Sequence, residues 1–136
     1  MFDLVVLFHL LVAAGIGYFA FRYAFGPVPN AYQARIMHLD EVAPDGQLLL
    51  VLTLLYRIAG FALIAAALGY AALAIGGVTA GLFWAKAVML VMALVVGLPV
   101  GIAGYRAEVA TTVVTPWRAV FGLTGAAVLA FVLSVM

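Results

Sequence analysis

The stretch from Gly81 to Gly101 limits what this chain can fold into more than any other. It is long enough to cross a bilayer, because about 20 residues rising 1.5 Å each cover roughly 30 Å of hydrocarbon. It carries a single charge, Lys86, in its first third. An ammonium at that depth is costly unless it snorkels to the headgroups or finds a partner, so Lys86 either anchors the segment or marks a polar site. The other 115 or so residues repeat the pattern. Of 136 residues, 69% are hydrophobic and 8% charged, with a mean hydropathy of +1.32, whereas soluble domains carry about 25% charged residues. The sequence therefore predicts an integral membrane protein forming one transmembrane domain, residues 1–136, with no separate soluble module.

Four spans are expected, at about 4–25, 47–75, 81–105 and 116–135, making an all-α four-transmembrane-helix bundle. Gly26-Pro27-Val28-Pro29-Asn30 ends the first, since proline removes a helical donor. A signal peptide fits this first run poorly, because Asp3 stands where a basic segment belongs and the run is too long. Residues 26–46 are the only sizeable polar segment, and Ala31 to Val42 has the spacing of a short interfacial helix. Gly76-Gly77-Val78-Thr79 reads as a tight uncharged turn joining the second and third spans. Arg106, Glu108, Thr111 and Thr112 are expected in the last connection, and Pro116 suits the first turn of the fourth helix.

Arg22, Arg35, Arg106 and Arg118 fall at the ends joined by the first and third connections, while the second connection and the C-terminus carry no positive charge. Under the positive-inside rule those connections are cytoplasmic and both termini lie outside. Tyr23, Tyr32, Tyr105 and Trp117 then mark the inner boundary, and Phe2, Tyr70, Phe83 and Trp84 the outer one. The expected setting is a bacterial inner (plasma) membrane. Small residues offer packing faces: Ala13, Ala14, Gly15 and Gly17 in the first span, Ala62, Ala65, Ala66 and Gly69 in the second, and Gly97, Gly101 and Gly104 in the third. Pro99 is expected to kink the third helix.

Few residues are equipped for chemistry. The net charge of +1 gives no reason to invoke nucleic acid, and with no cysteine there is no thiolate nucleophile or metal ligand. His9 and Lys86 fall at a shared depth, His9 roughly 10 Å below the outer boundary. Together they suit an anionic or quinone-like ligand, and His9 alone suits a haem iron. The structural alternatives are a packed histidine bonded to a backbone carbonyl and a snorkelling lysine. Arg57 sits near 15 Å along the second span, with no carboxylate inside any span to pair with it. Its partner is then lipid phosphate, Asp45 or Glu41 folded over the bundle, or an anion in the interior, since an unpaired arginine in hydrocarbon costs at least about 2.5 kcal/mol. Arg35, His38, Asp40, Glu41 and Asp45 match no metal-ligand spacing. His9 and His38 are expected at opposite faces and so do not jointly ligate one haem.

Phe8-His9-Leu10-Leu11 in the first span, Arg57 with Gly60 in the second, and Trp84-Ala85-Lys86-Ala87-Val88 in the third resemble a group of small four-helix membrane proteins. These are the HemJ-type protoporphyrinogen oxidases and their copper-resistance D and SirB-like relatives. The resemblance implies that His9 and Lys86 are the functional pair and that haem b is a possible cofactor. A second resemblance, carried by Ala34 to Glu41 and by Pro116-Trp117-Arg118, is to the membrane-associated glutathione and eicosanoid enzymes, whose helix-three arginine and tyrosine are missing here. Sparse polar equipment and abundant packing faces favour an accessory or assembly subunit of a larger membrane complex, a homo-oligomer or a docked subunit surrounded by membrane lipids. A haem- or quinone-linked redox protein using His9 and Lys86 is the alternative. A small-solute or ion carrier using Arg57 and Lys86 is a third.

Overall fold

The computed structural model describes residues 4–39 and 45–136, so Phe2, Asp3, Asp40 and Glu41 lie outside the described residues. Within them the chain is helical, without strands. Helix α1 covers Leu4–Phe25, α2 is the short Ala31–Ile36, and α3 runs Gly46–Ala72 and continues as a π-helical segment, Leu73–Val78. Helix α4 covers Phe83–Thr111 and α5 covers Trp117–Val135. Four of these helices are long and apolar enough to cross a membrane.

The short helix expected over Ala31 to Val42 ends already at Ile36, where the chain turns and His38 takes φ 53°, and two further boundaries differ from the sequence expectation, each for a local reason. The glycines at 76 and 77 do not form the turn; they lie in the π-helical end of the α3 segment. The reversal comes later, at Thr79–Gly81, where Gly81 takes φ +70°, a conformation open to glycine at no steric cost. Gly77 is needed in the helix because a side chain there would collide with Ala85 at the start of α4. The third helix also runs on through Arg106 and Glu108 to Thr111. No residue from 106 to 111 breaks a helix, and the stop comes only at Thr112, whose left-handed φ of 59° ends α4 before Pro116.

Packing follows close backbone approach. Helix α1 lies along α3 and also touches α5, while α4 packs on α5. Gly60 meets the backbone of α1 at Ala24, and Gly15 accommodates Leu123 of α5. Gly97 and Gly101 seat Thr124 and Phe121, so the small residues flanking Pro99 face α5. Small residues of this kind let helix backbones come close, the packing mode that apolar helices rely on where apolar burial provides no drive. The small face expected on the second span is corrected: Ala62, Ala65 and Gly69 point outward, and a side chain added at Gly69 would touch nothing. The inward face of this helix is instead Tyr56, Gly60, Ala67 and Tyr70, continued by Ala74.

Helices α3 and α4 are neighbours in sequence yet scarcely touch beyond their joined end. The π-helical segment packs on the start of α4, and from there the two helices splay apart. That splay leaves a cleft between them.

Candidate functional site

His9 is fully buried, at 0% exposure, on the inward face of α1. Its Nδ1 lies 3.1 Å from the hydroxyl of Tyr70, which is itself 1% exposed. The other ring nitrogen, Nε2, is buried with no partner. Tyr70 therefore does not belong to an outer aromatic belt; it is the histidine's partner inside the core, packed with Val12, Ala13, Met89 and Ala127. Lys86 lies within electrostatic reach of the His9 ring. The lysine, however, is committed elsewhere: its Nζ donates to the backbone carbonyl of Ser134.

That carbonyl is one of the last four of α5, which have no partner within their own helix. Arg57 does the same for α1, since its Nη1 donates to the carbonyl of Ala24 in that helix's last turn. Both cations thus satisfy helix C-termini, where the orphan carbonyls and the negative end of the helix dipole favour positive charge. This answers how cations sit in an apolar bundle without carboxylates. Gly60 makes the arginine's bond possible by letting α3 approach Ala24, one turn from Arg57. Replacing Arg57 with leucine is expected to cost about 1–3 kcal/mol, the penalty for an orphaned buried carbonyl, with partial rescue by lysine. Unfolding in detergent measures it; a leucine variant as stable as the parent would show that the bond contributes nothing.

The three sequence candidates, His9, Lys86 and Arg57, therefore do not converge on one pocket. The larger opportunity lies between α3 and α4, in a cleft of about 510 Å³ that reaches from Val12 and Tyr70 to Trp117. Along α4 it runs from Met92 to Ala107, fifteen residues or about 22 Å of helix. Its walls are Ala, Val, Leu, Ile, Met and Phe side chains from α1, α3, α4 and α5. Ala59 on one side and Val96, Val100 and Ala103 on the other line it and are also exposed, so the cleft opens sideways between α3 and α4. His9 does not line it. A haem macrocycle here would have no axial histidine, and the sealed His9 ring has no space beside it from the cleft.

The end of the cleft farthest from His9 is polar. Tyr32 and Gln33 of α2 reach it, as do Thr115 and Trp117. The Tyr23 and Tyr32 hydroxyls lie 3.1 Å apart. Burial first, then the bond to Tyr23, raises the Tyr32 pKa well above the ordinary tyrosine range and keeps the phenol neutral. Beside them the chain leading into α5 is tied down by Glu108. One carboxylate oxygen accepts from the Thr115 backbone N–H at 2.9 Å and the other pairs with Arg118 at 3.0 Å. Arg118 also stacks over the Trp117 ring, 4.5 Å from its centre. Gln33 Oε1 is left buried without a partner. The Trp117 indole N–H lies toward Glu108 without closing a hydrogen bond.

The splay of α3 from α4 carries no signal that periodicity detects, because every face of these two helices is apolar. Tyr70 did carry one: it is a polar-tipped residue nine positions before the turn, deep enough to meet His9. Among the described residues, no group of three or more His, Asp or Glu side chains is gathered to hold a metal ion. No protein-family model, curated protein or solved structure matches this chain.

Proposed function

We propose that this chain is a multi-pass integral membrane protein that binds a lipid-phase small molecule in the cleft between α3 and α4. The cleft itself carries the proposal. Its volume falls within the range of about 300–1,000 Å³ found for small-molecule sites, and its walls are mainly apolar, with Tyr32, Gln33, Thr115 and Trp117 gathered toward one end. Its side opening faces the direction from which a molecule dissolved in a bilayer would arrive. In this reading the arginine-bearing connections are cytoplasmic and both termini are outside, so the polar end of the cleft lies near the inner headgroups. The setting is a bacterial inner membrane.

Binding, and not catalysis, is the activity the lining supports. Among the described residues it contains no Lys, Arg, His, Asp, Glu or Ser, hence no acid–base pair or activated nucleophile. A carrier using Arg57 and Lys86 would need free cations, and both are engaged with carbonyls. Assembly with partner proteins would use the same outward apolar surface that lipid covers, so no particular feature favours it over the cleft.

The test is to extract the protein directly from membranes in polymer-bounded discs and identify co-purifying lipophilic molecules by mass spectrometry. A species enriched near one per chain is expected in the parent, and its loss is expected in Ala66→Trp and Ala103→Trp, which fill the cleft. Ala65→Trp, on the outward side of α3, should retain it. An identical complement in all four proteins would end this reading.

A further inference from the structure

The unpartnered groups at the closed-off polar end narrow the ligand's chemistry. We infer that the cleft selects an uncharged, long-chain amphiphile whose head carries a hydroxyl, donated to Gln33 Oε1 in the cleft that Trp117 also lines. This rests on the cleft being a binding site.

Three observations meet at that end. Gln33 lines the cleft, and its side-chain oxygen is buried with no donor among the described residues. Leaving such an acceptor unpaired is costly, and a hydroxyl is the smallest group that pairs with it. The lining holds no cation, and Arg118, next to the lining residue Trp117, is already paired with Glu108. A phosphate or carboxylate head would therefore enter without a counter-charge, at a large desolvation penalty. The third is shape. A channel running about 22 Å along α4 and lined by small and aliphatic side chains suits one extended hydrocarbon chain better than a broad ring system.

Trp117 makes the test direct. The chain has two tryptophans, and Trp84 is 58% exposed at the far end of α4. In a Trp84→Phe background, Trp117 is the only indole, and a bromine placed next to the ligand's head quenches it on contact. The probes are hexadecanol brominated beside the hydroxyl, its methyl ether, and the corresponding bromo-carboxylate, each titrated into phosphatidylcholine discs.

The alcohol is expected to quench Trp117 at concentrations about tenfold lower than the ether, the discrimination of one good hydrogen bond. Gln33→Leu should abolish that preference while leaving the ether's quenching intact. Equal quenching by alcohol and ether, unchanged in Gln33→Leu, would overturn the hydroxyl assignment and leave the cleft standing as a site. Tighter quenching by the carboxylate would overturn the uncharged head. If no probe quenches Trp117 beyond what Trp84 shows in a Trp117→Phe protein, the binding site itself fails, and this inference with it.

Discussion

Replacing Gly60 with valine is expected to prevent α1 and α3 from packing, and so to remove most of the folded protein. Even the first carbon of a side chain at this position would stand 2.7 Å from the carbonyl carbon of Tyr23 and 2.5 Å from the Cα of Ala24. These are backbone atoms, which a rotamer change does not relieve. Gly97 is different: its obstacle is the Thr124 side chain and not backbone. Overpacking a well-filled interior costs about 1–3 kcal/mol and sometimes more, and a backbone collision belongs at the upper end. A second loss is coupled to it. Pushing α3 away withdraws Arg57 from the Ala24 carbonyl, orphaning a carbonyl and a guanidinium together. Yield of monodisperse protein and unfolding in detergent measure the effect. Gly69→Ala and Gly125→Ala, where an added side chain meets nothing, are the matched controls and should behave like the parent. A Gly60→Val protein as stable as those controls would mean that α1 and α3 do not cross at this point.

The second large effect is expected at the buried polar pair. Tyr70→Phe removes the only hydrogen-bond partner of His9 among the described residues and leaves both ring nitrogens unpaired in the core. The expected cost is about 1–3 kcal/mol. His9→Leu should cost less, because it deletes the unsatisfied Nε2 along with the bond, though it leaves the Tyr70 hydroxyl without its partner. The double variant His9→Leu with Tyr70→Phe should be more stable than Tyr70→Phe alone, since replacing both partners by apolar groups removes the desolvation penalty. Unfolding of the four proteins closes this cycle. Strict additivity would show that the two side chains do not interact.

How much of this was legible in the sequence varies with the physics behind each element. The four long helices were, because hydrocarbon demands about 20 apolar residues per crossing, and the proline and glycine cluster at 26–30 marks the end of α1 in sequence and structure alike. Helix ends set by capping were less so: nothing in composition distinguishes Gly76-Gly77 in a π-helical segment from the same pair in a turn. Facing was hardest. In water a polar stripe identifies the outside of a helix, but here Ala65 faces out and Ala67 faces in with identical side chains. His9 and Lys86 were recognised as sharing a depth, and Arg57 as needing a partner. What could not be read was that the partners of both cations are main-chain carbonyls, groups every residue carries.

The central claim is that α3 stays against α1 and apart from α4, and cysteine pairs test it most directly because the chain has no cysteine of its own. A side-chain carbon at Gly17 would lie 3.9 Å from the Ala67 Cβ, inside the window of about 3.5–4.5 Å that disulfides require. Leu63 of α3 and Val100 of α4 both line the cleft. In native membranes treated with copper phenanthroline, Gly17→Cys with Ala67→Cys should crosslink rapidly, and Leu63→Cys with Val100→Cys should not. Equal rates for the two pairs, or the reverse order, would mean that α3 and α4 are packed together and that the cleft does not exist.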